Sequence, residues 1–183
     1  MLKDIRSLSY DELANIVIPS QVVDEDGTVY TVTIIGDSAF ENCSNLTSIE
    51  IPSTLKSIPN EAFLNCKSLV ISGVPSTVTS IGDSAFQGCE SITEFTIPEH
   101  VGLSSFGTGV FKGTGLVNVV VPAQFTQIKN YMFQDCKSLE TVVLPSTTTK
   151  IGVCSFSGCT SLVEVVVPGV LTSVDQQAFE NCT

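Results

Sequence analysis

Residues 35–57 read IGDSAFENCSNLTSIEIPSTLKS, and residues 58–80 repeat the pattern as IPNEAFLNCKSLVISGVPSTVTS. Each copy begins with an aliphatic residue, continues through Ala-Phe and Cys-x-x-Leu, and ends its apolar stretch at a proline. The same frame returns about every 23 residues along the rest of the chain. A period of this length is typical of a solenoid, in which each coil contacts only its neighbours. The sequence therefore predicts a repeat solenoid of short parallel β-strands joined by short helical or 3-10 turns.

Three residue types are almost confined to single positions of this repeat. Six of the seven cysteines occupy one position and seven of the eight prolines occupy another. We expect the prolines to end each strand, since proline has no N–H to donate to a ladder. A third position holds seven of the ten phenylalanines, Phe40, Phe63, Phe86, Phe111, Phe133, Phe156 and Phe179. All of them except Phe111 are expected to be buried and stacked in a column.

Composition limits the classes of partner. The 183 residues are 43% hydrophobic and 15% charged, which fits one elongated domain with a stacked core. The formal charge of −11 argues against nucleic acid and anionic membrane surfaces, because both bind basic patches. No apolar run approaches the roughly 18 residues that membrane insertion needs.

The cysteines are predicted to be reduced. Their number, seven, is odd, and equivalent residues of stacked coils have parallel Cα–Cβ bonds that hold their Cβ atoms about 4.8 Å apart. A disulfide needs a Cβ separation of about 3.8 Å. The repeat cysteines should be buried, and only Cys154 and Cys182 are expected to be accessible. No CxxC pair is present and the only histidine is His100, so neither a metal site nor a cofactor is predicted.

One coil illustrates the expected local structure. Asp37 or Ser38 is placed to cap a short helical turn by accepting a backbone N–H. Residues 46–51 alternate apolar and polar, which predicts a half-buried strand. In that strand Ile49 faces the core and Glu50 faces outward.

These motifs resemble the BspA-like, or treponemal-type, leucine-rich repeats. The resemblance covers about residues 13–182 and depends on Ile-Gly-Asp-Ser-Ala-Phe at 35–40 and 81–86, on Cys-x-x-Leu/Ile, and on Leu-x-x-Ile-x-Ile-Pro at 46–52. It implies a solenoid of the leucine-rich type. It also implies a non-catalytic surface or secreted module, often part of a larger adhesin, that binds host proteins or other cells. The usual asparagine ladder is expected to be missing, since a threonine such as Thr77 stands in its place.

The repeat is interrupted at three places. Residues 22–32 place Asp-Gly between two β-branched runs, which predicts a hairpin that acts either as a cap or as a projecting recognition element. Two extra residues within 98–106 predict a bulge in the sheet. In residues 70–74, Ser72 replaces the inward apolar residue, which predicts a weaker coil with either a small hole or a close backbone approach.

These breaks define the expected organisation of the chain. Residues 1–34 are predicted to form an N-terminal partial coil with its capping hairpin, and residues 35–183 the solenoid. The sequence ends at Thr183 inside a coil, so we expect a solenoid that is truncated in its last coil. Residues 1–6 lack the apolar core of a signal peptide. A cell-surface or secreted location as part of a longer chain is favoured, and an intracellular location stays open.

The outward strand positions suggest a binding surface. Three valines in adjacent coils form an exposed apolar stripe, and polar residues flank it, which is the usual anatomy of an interface. The predicted partner-binding residues are Val120, Val143, Val166, Glu94, Asn118, Thr141 and Glu164. Two other surfaces compete with this one. They are the hairpin and the open strand 163–167, which could support end-to-end self-association.

No catalytic residues are predicted. The chain has no Ser-His pair, no glycine-rich phosphate loop and no cluster of His, Asp and Glu. The favoured function is therefore a non-catalytic protein-binding or adhesion module, with a host or neighbouring-cell surface protein as its ligand. The alternative is a structural spacer or self-association domain of a larger surface protein.

Overall fold

The structure is a computed structural model that describes residues 14–182. Short parallel strands recur in it about 23 residues apart, which confirms the predicted solenoid. The described residues contain one 3-10 helix, Leu103–Ser105. The strands are β1 (Asn15–Val17), β2 (Gln21–Val23), β3 (Val29–Thr31), β4 (Ser48–Glu50), β5 (Ser57–Ile58), β6 (Ser80–Ile81), β7 (Asn118–Val120), β8 (Gln127–Ile128), β9 (Thr141–Val143), β10 (Lys150–Ile151), β11 (Glu164–Val166) and β12 (Ser173–Val174).

The strands of the coils form two sets. In the first set β1 pairs with β4, and β7, β9 and β11 form a three-stranded sheet. In the second set β5 pairs with β6, and β8, β10 and β12 form another sheet. All of these pairs are parallel, so each residue lies beside its equivalent in the next coil. We call the first set, with the segments 70–74 and 93–97 that lie between β4 and β7, the front face.

The phenylalanine column lies in the core as predicted. Neighbouring rings from Phe40 to Phe179 stack with centroids 5.2 to 6.1 Å apart and with planes within 15° of parallel. Phe179 is partly buried and the other rings of the column are buried. The spacing is widest on either side of Phe111, where Phe95 tilts against both Phe86 and Phe111. An additional ring thus fills the core of the irregular coil.

The cysteines form a second column, and all seven are free thiols as predicted. From Cys66 to Cys182, each column thiol donates a hydrogen bond of 2.9 to 3.1 Å to the carbonyl oxygen of the phenylalanine one coil earlier. Burial raises the pKa of the Cys66 thiol to about 12 and that of Cys136 to about 11. The prediction that Cys154 is accessible was wrong, because it is only 8% exposed.

The segments around each phenylalanine are hydrogen-bonded turns and not the predicted helical turns. Each turn has two residues with positive φ four positions apart, such as Ser38 at 53° and Asn42 at 61°. A left-handed residue interrupts a right-handed helix. In this arrangement the N–H groups of Ser38, Phe40 and Asn42 all donate to carbonyl oxygens of the following coil, at 2.7 to 3.0 Å. The turns therefore stack through a ladder of their own.

The predicted caps also act between coils. The Asp83 N–H donates to Asn60 Oδ1 at 2.9 Å, and the Thr108 N–H donates to Asp83 Oδ1 at 2.7 Å. The Ser38 hydroxyl likewise donates to Glu61 of the next coil, at 3.1 Å. The prediction that these side chains cap their own turn was wrong, since the turn is not a helix and has no helical N-terminus to cap.

Threonines take over part of the role of the usual asparagine ladder. The Thr77 hydroxyl donates to the Leu55 carbonyl oxygen at 3.0 Å, and the Thr147 hydroxyl donates to that of Ala123 at 2.6 Å. The equivalent hydroxyl of Thr54 is buried and has no hydrogen-bond partner among the described residues. Thr77 and Thr147 therefore join neighbouring coils through their hydroxyl groups.

The N-terminal hairpin forms as predicted. Strands β2 and β3 pair antiparallel, and Asp24 Oδ1 accepts the N–H groups of Asp26 and Thr28 at 3.1 and 2.8 Å, which closes the loop. These bonds lower the pKa of the Asp24 carboxyl, with the Thr28 N–H as the main cause. Val32 packs against the core at the base of the hairpin. Residues 1–13, on which part of the predicted N-terminal unit depends, lie outside the described residues.

The second break contains a 3-10 turn and not the predicted bulge. The extra residues form the turn Leu103–Ser105, and Phe106 then bridges to Ile81 in parallel. In the following coil Thr114 takes the cysteine position, since its hydroxyl lies 3.3 Å from Cys136 Sγ.

Candidate functional site

The valine stripe is a continuous exposed row on the front face. Val120 lies beside Val143, and Val143 lies beside Val166, in the register of β7, β9 and β11. Their exposed fractions are 70%, 43% and 49%. The residues that directly precede Val120 and Val143 in their strands, Val119 and Val142, face the core. The structure thus places the three predicted valines together on one surface.

The predicted polar flank lies next to this stripe. Asn118, Thr141 and Glu164 pair across the same three strands, two residues before the valines. The Thr141 hydroxyl donates to Asn118 Oδ1 at 2.5 Å, which fixes both side chains. Glu94 is exposed one coil earlier, in a segment that is not part of a strand. Six of the seven predicted residues therefore share one sheet, and Glu94 lies at its border.

That border is a break in the front face. The segments 70–74 and 93–97 lie between β4 and β7 without forming strands. In the first segment the alternation is reversed, because Ile71 packs against the core while Ser72 is exposed. The expectation that Ile71 faces outward and Ser72 inward was wrong. Burying an isoleucine and leaving a serine in water is the favourable choice.

The reversed coil leaves a hole and not a close backbone approach. A Cβ atom placed on Gly73 would lie 3.7 Å from the Thr96 carbonyl oxygen, which is ordinary contact. Two adjoining hollows of about 480 and 330 Å³ share Ser72 and Glu94 as lining residues. We call them together the central cleft. The larger hollow is lined by Ser72, Glu94, Phe95, Thr96, Ile97, Glu99, Asn118, Val120 and Pro122.

The central cleft joins the valine stripe and its polar flank, since Val120 of the stripe and Asn118 of the flank both line the larger hollow. The same face is acidic. The strand segments and the turns after them contain five glutamates and no lysine or arginine within 47–54, 70–77, 93–101, 117–123, 140–147 and 163–170. The glutamates of this face are visible in the sequence. The cleft is not, because it depends on how the reversed coil 70–74 packs.

The hairpin, the competing surface, is also exposed. Val23 and Val29 face each other across β2 and β3 with exposed fractions of 59% and 55%. Among the described residues these two strands pair only with each other. The second competing surface is the strand 163–167. Its β11 segment carries Val166 and pairs with β9.

The described residues offer little for chemistry. His100 Nε2 lies 2.7 Å from the Val78 carbonyl oxygen, so the ring joins two coils. The column thiols from Cys43 to Cys159 are buried with raised pKa values and are poor nucleophiles, and Cys182 is partly buried. Within 14–182 there is no group of three or more His, Cys, Asp or Glu that could hold a metal ion. No helix in that range is long and apolar enough to cross a membrane.

Comparison with known proteins agrees with this description. The sequence matches the BspA type leucine-rich repeat region, a family model with six copies, over residues 9–140 and 127–183. A leucine-rich repeat protein from Bacteroides ovatus is 34% identical with a TM-score of 0.85, over 92% of this chain and 43% of its own. The Treponema pallidum leucine-rich repeat protein is 29% identical with a TM-score of 0.71, over 88% of this chain and 71% of its own.

A third solved structure is a leucine-rich cell surface protein from Faecalibacterium prausnitzii. It is 29% identical with a TM-score of 0.62, over 83% of this chain and 47% of its own. The chain therefore spans less than half the length of the Bacteroides and Faecalibacterium proteins. No curated protein matches the sequence.

Proposed function

This chain belongs to the BspA-type leucine-rich repeat family, and on that premise we propose that it is a non-catalytic protein-binding module whose front face holds the partner. Leucine-rich solenoids are in general scaffolds and not enzymes, and their extended surfaces suit protein interactions. The observation that carries the proposal is the valine stripe: Val120, Val143 and Val166 are exposed in adjacent strands beside a polar flank.

A row of valines on a surface needs a physical reason. Valine forms strands well, but threonine does so too and is better solvated. A contiguous apolar row at the surface marks an interaction site more often than an isolated valine does. Asn118, Thr141 and Glu164 provide the polar rim that surrounds the apolar centre of most interfaces. The proposed partner-binding residues are therefore the seven predicted from the sequence, with Glu94 at the rim.

The setting proposed for this interaction is a cell surface, with adhesion or recognition as its result. One structural relative is described as a cell surface protein, and the proposal transfers that location to this chain as part of a longer protein. The partner is a protein of a host or neighbouring cell. We also keep as a proposal the division into an N-terminal unit, 1–34, and a solenoid, 35–183.

The test is comparative capture. The immobilised chain is exposed to solubilised, biotinylated surface proteins of mammalian and bacterial cells, in parallel with two double variants. Val143→Lys with Val166→Lys places charge on the stripe, and Val23→Lys with Val29→Lys places the same charge on an equally exposed pair in the hairpin. All four positions are exposed, so both variants should keep the circular dichroism of the wild type.

We expect the stripe variant to retain at most about a tenth of the proteins bound by the wild type, because a lysine in an apolar contact must be desolvated. The hairpin variant should bind normally. Loss of binding in the hairpin variant alone would move the site to the hairpin. If no protein is captured and the chain self-associates in sedimentation experiments, the spacer or self-association role replaces the proposal.

A further inference from the structure

We propose that the central cleft receives an extended peptide segment of the partner in which apolar side chains alternate with lysine or arginine. This inference rests on the proposed function, since it names the part of the partner that the front face recognises. The cleft lies between β4 and β7, where the reversed coil 70–74 interrupts the face.

The floor of the cleft is apolar. Phe95 and Ile97 line it while they are 8% and 4% exposed, so each presents one side to the cleft and packs the rest into the core. Val120 and Pro122 extend this floor toward the valine stripe. An extended chain points successive side chains to opposite sides, so every second residue of a bound segment can contact this floor. Alternating apolar residues fit that requirement.

The rim of the cleft is acidic and unpaired. Glu94 and Glu99 are both exposed and line the larger hollow. In the described residues the ion pairs are Lys67 with Glu90 and Lys150 with Asp175, so neither rim glutamate has a basic partner within the chain. Two carboxylates within one cleft favour a cationic ligand, because their fields add where the walls have a low dielectric constant. The residues that alternate with the apolar ones are therefore basic.

The backbone of the cleft has unused donors. The N–H groups of Ser72, Gly73 and Glu94 have no hydrogen-bond acceptor among residues 14–182, and all three residues line the smaller hollow. In the neighbouring coils the strand N–H groups are used by the parallel ladder. The main chain of an extended peptide supplies carbonyl oxygens at regular spacing, as in peptide recognition by strand addition.

The acidic rim also decides against a second copy of this chain as the occupant. Its own front face would bring glutamates against Glu94 and Glu99, and like charges at an interface oppose association. Nucleic acid is disfavoured for the same reason. The charge of the cleft thus selects a basic polypeptide.

The experiment uses three fluorescent peptides of about nine residues. One alternates valine and lysine, one alternates serine and lysine, and one alternates valine and glutamate. Binding is measured by fluorescence anisotropy near physiological ionic strength, where nonspecific charge attraction is screened beyond about 8 Å. We expect the valine–lysine peptide to bind at least about tenfold more tightly than the other two.

Variants locate the binding. Glu94→Gln with Glu99→Gln should weaken the valine–lysine peptide by about tenfold, whereas Glu41→Gln with Glu180→Gln changes net charge equally on the turn side and should alter the affinity by less than about twofold. Ser72→Phe should block the cleft and abolish binding. If that variant does not fold, the two glutamate variants still decide the question.

The inference is overturned if the serine–lysine or the valine–glutamate peptide binds as tightly as the valine–lysine peptide. It is also overturned if the two double glutamate variants bind the valine–lysine peptide with equal affinity. A dimer that dissociates on Ser72→Phe would also overturn it, in favour of a second copy. Failure of the proposed function is recognised separately, by unchanged protein capture in the stripe variant.

Discussion

The Cys89 thiol donates a hydrogen bond to the carbonyl oxygen of Phe63, 3.1 Å away, and so joins the core of one coil to the coil before it. Both residues are fully buried. The same carbonyl also accepts the Cys66 N–H at 3.1 Å, so the thiol adds a second hydrogen bond, which contributes about 0.5–1.5 kcal/mol to stability. The cysteine column is therefore a structural ladder made of thiols, which explains the position of the five column cysteines from Cys66 to Cys182 without disulfides or metal.

The first prediction tests this ladder. Cys89→Ala should lower the free energy of unfolding by about 1–3 kcal/mol, because the Phe63 carbonyl keeps only the Cys66 N–H as a donor and a small cavity opens. Cys89→Ser should lose less, since its hydroxyl can still donate. Urea denaturation followed by circular dichroism gives both values. Equal losses in the two variants would show that volume, and not the hydrogen bond, is what the position requires.

The second prediction concerns alkaline pH. Burial raises the pKa of the Cys66 thiol from 9.0 to about 12, and it raises that of Cys89 in the same direction. Above about pH 9 the unfolded chain releases these protons while the folded chain keeps them, so the free energy of unfolding falls as pH rises. Each buried cysteine contributes up to about 1.4 kcal/mol per pH unit between the two pKa values. Below pH 9 the cysteines should not change the free energy of unfolding as the pH varies.

Urea denaturation between about pH 8 and pH 11 checks this expectation, within the pKa range of the thiols. Lysine and tyrosine also ionise there, but they are common to the wild type and to Cys89→Ser. The variant should therefore show a shallower decline than the wild type. Parallel declines would mean that the Cys89 thiol ionises at the same pH in the folded and unfolded chains.

The third prediction concerns the phenylalanine column. Phe86 is fully buried, and its ring centroid lies 5.4 Å from that of Phe63 and 5.1 Å from that of Phe95. Phe86→Ala should cost about 3–5 kcal/mol. Phe179→Ala should cost less, since that ring is only partly buried and contacts one ring, Phe156, in the described residues. Thermal and chemical denaturation of both variants provide the comparison, and an equal cost would contradict it.

The fourth prediction concerns the left-handed turn residues. Tyr131 has φ of 59° and is 42% exposed, so its side chain contributes little burial to offset the strained backbone. Tyr131→Gly should be more stable than Tyr131→Ala by roughly 1 kcal/mol, because glycine enters this region without a Cβ clash. Gly158 provides the reverse case, since it already has a φ of 76°. A Cβ atom placed on it would lie 2.5 Å from Asp135 Oδ1, which is too close. Gly158→Ala should therefore destabilise the chain.

The turns show why some features could be predicted and others could not. Period-two alternation and the Phe and Cys columns follow from burial, which residue type records directly. The second left-handed position also carried a signal, since it holds only Asn, Gly and Asp: Asn42, Asn65, Gly88, Gly113, Asp135, Gly158 and Asn181. The first such position holds Glu61, Tyr131 and Cys154 among others, types that give no sign of positive φ. The helical interpretation of the turns failed for that reason.

The candidate site divides in the same way. The valine stripe follows from strand alternation, so the sequence predicted its residues. The central cleft results from competition between Ile71 and Ser72 for the core side of one short segment. That outcome depends on the packing of the coils on either side. The sequence predicted a weak coil there, but neither the reversal nor the cleft that adjoins Val120.

The last prediction reverses that competition. Ile71→Thr with Ser72→Val gives the segment the polar–apolar order of Thr141 and Val142 in a regular coil. Residue 72 should then turn inward and bury a valine, which is worth about 1.5–3 kcal/mol, while the loss of the half-buried Ile71 offsets part of it. We expect a net gain of roughly 1 kcal/mol and slower amide hydrogen exchange in residues 70–74, because the parallel ladder from β4 can continue. Ile71→Thr alone removes the apolar anchor without a replacement and should destabilise the chain.

The double variant should also lose affinity for the valine–lysine peptide, since the cleft closes. If the double variant is as unstable as the single one and exchange in 70–74 stays fast, the break in the front face has a cause other than residue 72.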